Sequence, residues 1–215
     1  MSRRRERTLY FHTCSGYKMG IKLIGIHGKA GAGKDALASA FIEDHGFVRL
    51  AFADSAKRAT AEIFGWTPEL MHNDDFKKSM SDYWGITVRQ AMQKFGTEAV
   101  RGTFGNDHWV KRWNMDYAKL NETFSVIVPD VREDIEADFI RGLGGLVIHI
   151  NRPGAGLAGF EAAHSSERGI RFDQRQDIRI ANDGTLRELQ ANAHKVITFI
   201  EQSAADFNLL NKVKA

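Results

Sequence analysis

A glycine-rich segment ending in a lysine is the part of the sequence best suited to chemistry. The segment runs Gly28-Lys29-Ala30-Gly31-Ala32-Gly33-Lys34-Asp35 and fits the pattern G-x-x-x-x-G-K, with Asp where Ser or Thr is usual. Glycines allow backbone N–H groups to turn toward a phosphate, and a helix beginning near Lys34 adds the positive end of its dipole. Lys34 supplies a point charge for the β- and γ-phosphates. These eight residues are therefore predicted to bind ATP.

Two carboxylates are candidates for holding Mg²⁺ beside that phosphate. Asp35 follows the lysine, and a carboxylate can bind the ion directly or through water. The alternative for Asp35 is an acid of the first helical turn, favoured only by the helix dipole. Asp130 ends an apolar run, where a Walker-B acid stands, and its alternative is a solvated loop aspartate.

Arginines supply the other charge that phosphoryl transfer requires, because its transition state spreads negative charge over several oxygens. Arg132 can clamp a phosphate bidentately, whereas its alternative is a surface ion pair with Glu133 or Glu136. Arg89 lies on the polar face of a predicted helix and is a candidate phosphate ligand, with a solvated arginine as the alternative. A later polar segment adds Arg168, Arg171 and Arg175, which could reach the phosphates if that segment closes over the site; the alternative for each of them is an ordinary solvated side chain.

Short apolar strands alternate with amphipathic helices, and this alternation predicts an α/β fold with a mainly parallel sheet. The predicted strands are 21–26, 47–52, 124–128, 146–150 and 178–181. The predicted helices are 35–44, 55–64, 87–99, 107–120 and 133–141, and a last helix begins with a capping box of Thr185 and Glu188. Ligands of such sheets lie at the carboxyl ends of the strands. The glycine-rich segment directly follows the first predicted strand, so it lies at the carboxyl end of a strand, where a ligand is expected.

Composition and charge exclude several classes of protein. The chain has 215 residues, of which 43% are apolar, enough for a sizeable core. No apolar run approaches the roughly 18 to 20 residues of a membrane span. One cysteine, Cys14, excludes a disulfide framework and a cysteine-built zinc site. The histidines share no metal-ligand spacing.

The positive net charge belongs to the first 18 residues. This head carries five basic side chains and one acidic one, and residues 19–215 carry 25 basic and 26 acidic ones. A body without basic excess argues against a nucleic-acid-binding domain. The head is expected to be disordered or the product of a mis-annotated start, with Met19 before the first strand; a basic arm or an organellar address is the alternative. Residues 19–215 are expected to form a single domain.

At this point the sequence resembles the phage-type deoxynucleoside monophosphate kinases, within the adenylate-kinase-like P-loop kinases. The resemblance rests on the GKAGAGKD loop and covers roughly residues 21–200. Four further stretches resemble the family in order: Phe52–Lys57 (FADSAK), Arg89–Glu98 (RQAMQKFGTE), Val128–Arg132 (VPDVR) and Asn182–Leu186 (NDGTL). His164-Ser165-Ser166-Glu167 meets the family's H-x-S-E lid pattern. One departure is Glu133–Glu136, since the family often continues with Phe-Pro-Asn-Glu.

The resemblance implies that ATP and a deoxynucleoside monophosphate are converted to ADP and the diphosphate, for DNA precursor supply. It implies a P-loop kinase three-layer sandwich with a five-stranded parallel sheet, a helical acceptor-binding region at about 54–120 and a lid at about 152–177. Lys34, Asp130 and Arg132 would be catalytic. The substrate-binding residues that it implies are Asp54, Lys57, Arg89, Gln93, Gly96, Thr97, Trp109 and Arg132. The expected location is the cytoplasm, that of the host if the chain is viral.

Other interpretations stay open from the sequence. The same fold could phosphorylate dephospho-coenzyme A or phosphomevalonate, or the chain could be a P-loop ATPase without a small acceptor. Trp109 lies on an apolar helical stripe, so core packing is as good an explanation as base stacking. The sequence is compatible with a homodimer and indicates neither the base accepted nor the number of subunits.

Overall fold

The computed structural model describes residues 21–120, 124–156 and 169–213, with side chains as far as residue 202. The predicted head, the lid motif at 164–167 and Arg168 lie outside these ranges. The chain divides into two compact units. Residues Leu50–Asn121 form the helical unit, and the described residues before and after it form the sheet unit.

The sheet unit consists of five strands and three helices. Its strands are β1 (Leu23–His27), β2 (Val48–Arg49), β5 (Val126–Val131), β6 (Leu146–Asn151) and β7 (Asp177–Ala181). Its helices are α1 (Lys34–His45), α7 (Asp134–Gly142) and α8 (Leu186–Val213). The strands form one sheet in the order β2-β5-β1-β6-β7, and every pairing is parallel. The predicted five-stranded parallel sheet is confirmed.

Helices cover both faces of this sheet. Ile24 and Ile26 of β1 and Ile148 of β6 belong to one buried cluster that includes residues of α1 and α8. Gly25, between the two isoleucines, faces the opposite way, where a Cβ would lie 2.7 Å from Cδ1 of Ile140 on α7. Successive strand residues point to opposite faces, so the sheet is the middle of three layers.

Two strands differ most from their predicted ranges, and the other three differ by one or two residues at an end. The predicted strand 47–52 is only Val48–Arg49, because the backbone of the next residues bonds inside the helical unit. There Trp113 Nε1 donates to the Leu50 carbonyl (2.9 Å) and the Ala51 N–H donates to Asp54. In the other direction, β5 continues through Pro129 to Val131. The register between β1 and β5 shifts at this point, as expected where a proline cannot donate to the ladder.

The helical unit contains short helices and one hairpin. Its elements are α2 (Ala53–Phe64), a 3₁₀ turn (Pro68–His72), α3 (Asp74–Lys78), the antiparallel strands β3 (Met80–Ser81) and β4 (Ile86–Thr87), α4 (Val88–Gln93), a π-helical segment (Lys94–Arg101), α5 (Gly102–Phe104) and α6 (His108–Tyr117). The β3–β4 hairpin and the π-helical segment were not predicted. Thr87 caps α4 through a capping box with Gln90, and Thr185 and Glu188 bond reciprocally before α8. Within the described residues, no helix has both the length and the apolarity needed to cross a membrane.

Candidate active site

The glycine-rich loop connects β1 to α1 at the carboxyl end of the sheet. Gly31 (φ +74°) and Gly33 (φ +99°) adopt left-handed backbone conformations that favour glycine. Gly28 lies so close to β6 that a Cβ would be 2.6 Å from both Cγ2 and the carbonyl oxygen of Ile150. Gly33 is the N-cap of α1 and no side chain of the described residues caps this helix end. The loop therefore has the backbone of a phosphate cradle.

Backbone carbonyls of the loop are bound by protein groups. Lys34 Nζ donates to the carbonyl oxygens of Gly28 (2.6 Å) and Lys29 (2.9 Å). The Gly156 N–H donates to the Ala30 oxygen (3.0 Å). The side-chain amide of Asn182 donates to the Ala32 oxygen (2.9 Å). Lys34 thus lies folded over its own loop, where an incoming phosphate would compete for its charge.

The predicted acid and arginine follow at the end of β5, in the same unit as the loop. Asp130 is half-buried and Arg132 is exposed. The Arg132 N–H donates to Oε2 of Glu136 (2.8 Å), and the Glu133 N–H donates to the same atom (3.1 Å). Glu136 is only 2% exposed and completes the capping box of α7. The segment after Arg132, which departs from the family pattern, therefore fixes the backbone at Arg132.

Oxygen donors near the loop suit Mg²⁺ better than a softer metal. Asp35 is an exposed acid in the first turn of α1, and Asp130 is the acid at the end of β5. Within the described residues, no group of three or more His, Cys, Asp or Glu side chains could hold a metal by itself. Mg²⁺ usually keeps several waters and binds one or two carboxylates together with substrate phosphates. The donor set fits an ion that arrives with a nucleotide.

His27 ends β1 immediately before the loop. Its Nδ1 lies 2.9 Å from the Val131 carbonyl oxygen. This nitrogen carries the proton, since a carbonyl only accepts. Burial lowers the pKa of His27, and the positive charges of Lys34 and Arg132 lower it further, against the carbonyl bond that raises it. The lowered pKa favours the neutral form of His27, which adds no positive charge to the loop.

A buried ionic network lies beside the predicted lid. Asp177 binds Arg141 through two hydrogen bonds (Nε–Oδ1 3.0 Å and Nη2–Oδ2 2.7 Å) and also accepts a bond from Nε2 of His149 (2.8 Å). Burial would by itself raise the pKa of Asp177, but the bonds from His149 and Arg141 outweigh it and leave that pKa below its ordinary value. The Asp173 N–H also donates to Asp177 (2.8 Å). The network therefore fastens the segment before β7 to the sheet.

The two predicted lid arginines that the structure describes, Arg171 and Arg175, donate to acidic side chains. Arg171 Nη2 lies 3.0 Å from Oδ1 of Asp138, and its backbone N–H donates to Asp134 (2.7 Å). The Arg175 N–H donates to the side chain of Asp173 (2.8 Å). Arg171 is 69% exposed at the side chain, so its ion pair with Asp138 is one that solvent can replace. Arg168 lies outside the described residues.

In the helical unit, the predicted acceptor residues lie on α4 and the π-helical segment. Arg89 and Gln93 are half-buried and one helical turn apart, so they share a face. Gly96 and Thr97 belong to the π-helical segment, a form often found at functional sites. Trp109 Nε1 donates to the Gly96 carbonyl (2.8 Å), and its side chain is 7% exposed. These contacts favour packing over base stacking for Trp109 and make it a support for Gly96.

Two further predicted acceptor residues lie on α2. Asp54 is in its first turn, where its carboxylate accepts from the Ala51 N–H (3.3 Å). Lys57 is half-buried, with Nζ 3.3 Å from Nδ1 of His72. Both lie with Arg89 in the helical unit, whereas Lys34, Asp130 and Arg132 lie in the sheet unit. The predicted donor and acceptor residues are therefore divided between the two units, with Arg132 alone of the acceptor set in the sheet unit.

Sequence reasoning did not identify three features that shape the loop and its surroundings. Asn182 was part of a family-like motif without a role, and the structure places its amide on the loop. Glu136 had the glutamate spacing of a capping box from Glu133, a signal that could have been found. The pairing of His27 with His149, whose rings are 5.3 Å apart, depends on the register between β1 and β6. Only the fold could bring those two together.

Comparisons with known proteins agree on one family. Residues 64–193 match the family model described as deoxynucleotide monophosphate kinase. A relative from Acanthamoeba polyphaga mimivirus is 34% identical over 178 residues, covering 77% of this chain and 91% of the relative. The deoxynucleotide monophosphate kinase of Enterobacteria phage T4 is 38% identical over 117 residues, covering 54% of this chain and 46% of its own length. The enzyme of the same name from Escherichia phage RB69 is 31% identical over 121 residues, covering 55% and 47%.

A crystal structure of TT1252 from Thermus thermophilus has a TM-score of 0.47 to this chain at 18% identity, covering 84% of this chain and 98% of that one.

The family match covers more than half of the chain and includes α4, the π-helical segment and β5. The mimivirus relative extends the match over most of both proteins. On this evidence the chain belongs to the deoxynucleotide monophosphate kinase family.

Proposed function

We propose that the chain transfers the γ-phosphate of ATP to a deoxynucleoside monophosphate, giving ADP and the deoxynucleoside diphosphate. The observation that carries the proposal is the phosphate cradle at the carboxyl end of β1, in a chain of this family. The family assignment favours a deoxynucleotide over dephospho-coenzyme A or phosphomevalonate as acceptor.

The sheet unit supplies the residues for ATP. Backbone N–H groups of Gly28–Lys34, with the start of α1, bind the β- and γ-phosphates. Lys34 leaves the carbonyl oxygens of Gly28 and Lys29 and pairs with those phosphates. The exchange replaces two neutral acceptors by an anion, so phosphate binding favours the extended lysine. Arg132 and Lys34 then stabilise charge on the transferred group.

Asp35 and Asp130 would hold the Mg²⁺ that accompanies ATP. When bound, the ion neutralises charge on the β- and γ-phosphates. The carboxylate of Asp35 takes the place that a hydroxyl occupies in the usual loop. Asp35 is exposed in the first turn of α1, so its carboxylate would bind the ion directly or through water.

The helical unit supplies residues for the acceptor. Arg89 carries the charge that a monophosphate requires, and Gln93 follows one turn later on the same face. Gly96 and Thr97 present backbone and hydroxyl groups from the π-helical segment. Asp54 and Lys57 on α2 complete the proposed set, with Trp109 supporting Gly96.

Residues 152–177 act as the lid in this proposal. Arg168, Arg171 and Arg175 contribute charge when the lid closes, which excludes water and suppresses ATP hydrolysis. For Arg171, closure exchanges its ion pair with Asp138 for one with phosphate. The reaction belongs to the cytoplasm, that of the host if the chain is viral, because ATP and deoxynucleotides meet there.

The test is ADP release by the purified full-length chain with ATP and Mg²⁺. Each of dGMP, dTMP, dCMP, dAMP, GMP and dephospho-coenzyme A is added separately. We expect turnover that depends on at least one deoxynucleotide and that falls by roughly a hundredfold or more in Lys34→Ala, since one positioned donor to developing charge contributes on that scale. Lys195→Ala on the surface of α8 is the matched control and should leave turnover unchanged.

Other outcomes separate the alternatives. If dephospho-coenzyme A were the only acceptor to support turnover, the proposed acceptor would be wrong and the proposed ATP site in the glycine-rich loop would stand. ADP release that no acceptor changes would refute the kinase and support a P-loop ATPase.

A further inference from the structure

Asn182 lies beside the phosphate loop although it is far from it in sequence. It follows β7, is 7% exposed, and its backbone N–H donates to the Asn151 carbonyl at the end of β6 (2.7 Å). Its side-chain amide donates to the Ala32 oxygen (2.9 Å). A Cβ on Gly33 would lie 2.5 Å from the same amide nitrogen. The side chain is therefore packed against the peptide that joins Ala32 to Gly33.

Because the Ala32–Gly33 peptide is planar, the bond from Asn182 to the Ala32 oxygen also sets the direction of the Gly33 N–H, a candidate hydrogen-bond donor to phosphate. In a trans peptide the C=O of one residue and the N–H of the next point in opposite directions. When Asn182 holds the Ala32 oxygen toward β7, the Gly33 N–H is turned away from β7. Gly33 is the N-cap of α1, so its N–H is among the donors at the anion-binding end of that helix.

A second contact shows the same arrangement two residues earlier. The Gly156 N–H binds the Ala30 oxygen (3.0 Å), which turns the Gly31 N–H the opposite way. The intervening Ala32 N–H donates inside the loop, to the Lys29 oxygen (3.1 Å). The carbonyls of Ala30 and Ala32 are thus bound by groups outside the loop, and each precedes a glycine, Gly31 or Gly33, whose N–H is turned the other way.

We propose that Asn182 is a positioning residue for nucleotide phosphates, because its amide fixes the direction of the Gly33 N–H. The ligand class is a di- or triphosphate chain, and the inference rests on the proposed function in taking that ligand as ATP. Asn182 touches the loop and not the substrate. A loop without this bond must find the binding orientation of the Gly33 peptide when phosphate arrives, which weakens binding.

The first experiment measures binding by calorimetry with the full-length chain, using MgATP and inorganic tripolyphosphate as probes. Asn182→Ala removes the donor without adding charge, and Asn182→Ser is a second variant with a shorter polar side chain. Asn192→Ala on α8 is the control, since that side chain bonds Lys195. We expect Kd for both probes to rise about tenfold in the Asn182 variants, equal to about 1.4 kcal/mol, and to stay unchanged in the control.

The number of binding sites per chain, obtained from the same calorimetry, distinguishes a positioning role of Asn182 from a merely structural one. Damage to the fold alone would lower the fraction of chains that bind and leave Kd unchanged, a result that would overturn the proposal. In the kinase assay, KM for ATP should rise while KM for the deoxynucleotide stays constant. If the wild-type chain proves inactive with every acceptor, weaker tripolyphosphate binding by the variants still supports the role of Asn182 and only the proposed function fails.

A measurement on the unmodified chain covers the case in which both variants fail to fold. The amide resonance of Gly33 should shift when tripolyphosphate saturates the protein, while the side-chain amide of Asn182 keeps its slow exchange with solvent. A Gly33 amide that does not respond to saturating tripolyphosphate would refute the inference.

Discussion

Alanine at Gly33 tests whether the loop needs glycine for its backbone angle alone or also for space. Gly33 has φ +99°, so an L side chain is strained there by roughly 1–2 kcal/mol. Its Cβ would also lie 2.5 Å from the amide nitrogen of Asn182 and 3.1 Å from Cδ2 of Leu189. Relieving that contact displaces Asn182 and loses its bond to Ala32, about 1 kcal/mol more. We expect Gly33→Ala to lower the free energy of unfolding by about 2–3 kcal/mol.

Two other glycines provide matched controls. Gly31 (φ +74°) is in the same loop and Gly144 (φ +77°) lies between α7 and β6, and an added Cβ meets nothing within 4 Å at either position. Alanine there brings strain alone, roughly 1–2 kcal/mol. At about 2–4 °C per kcal/mol for a chain of this size, we expect a Tm lower by about 4–12 °C for Gly33→Ala and by about 2–8 °C for the controls.

Thermal unfolding followed by calorimetry, with ATP binding measured on the same samples, checks these values. Gly33→Ala should weaken ATP binding at least tenfold, whereas Gly144→Ala should lose stability and keep its ATP affinity. Equal stability losses for Gly33→Ala and Gly31→Ala would refute the argument from space. Unchanged ATP binding in Gly33→Ala would refute the assignment of the loop as the phosphate cradle.

Four further predictions concern other parts of the molecule. Trp113→Ala should lower the free energy of unfolding by about 3–5 kcal/mol in denaturant titrations, because the side chain is 2% exposed. Trp109→Phe should raise KM for the deoxynucleotide several-fold and leave KM for ATP unchanged, because it removes the donor to Gly96; equal changes in both constants would contradict this role. Removal of Mg²⁺ with EDTA should abolish turnover, and added Mg²⁺ should restore it. Although burial opposes the shift, hydrogen bonds hold the pKa of Asp177 below its ordinary value, so its stabilising contribution is complete above about pH 4 and is lost as the pH falls further. Unfolding titrations between pH 6 and 2 should show a shallower loss of stability in Asp177→Asn, which also starts about 3–5 kcal/mol lower because it breaks a buried ion pair.

The parallel sheet was predictable because its strands are short apolar runs that carry their own signal. The same signal failed at residues 50–52, where apolar side chains belong to the helical unit and the Leu50 carbonyl is taken by Trp113. An apolar side chain indicates that a position is buried, but it does not indicate which backbone group the residue pairs with. The extension of β5 through Pro129 was missed for a related reason, since a register shift accommodates the missing N–H.

The loop was the most predictable part of the candidate site, because glycine positions report backbone conformation directly. The residues outside the loop that bind its backbone were less predictable. Asn182 reaches Ala32 only because β7 lies beside β6 in the sheet, a fact that sequence spacing does not contain. The π-helical segment was read as an ordinary continuation of α4, because side-chain periodicity over so few residues does not distinguish the two helical forms.

The central position of β1 has a consequence for how the chain folds during synthesis. Leu23 pairs with Val126 and Ile24 with Leu146, so the middle strand of the sheet gains its neighbours only after most of the chain has left the ribosome. Leu50–Asn121, in contrast, is contiguous in sequence and emerges as one piece. Pairing at such long sequence separation is slow, and segments with local contacts form first. We expect the helical unit to be structured in the nascent chain before β1 is paired. Until β5 and β6 have been synthesised, β1 is an unpaired apolar segment that must be protected from aggregation.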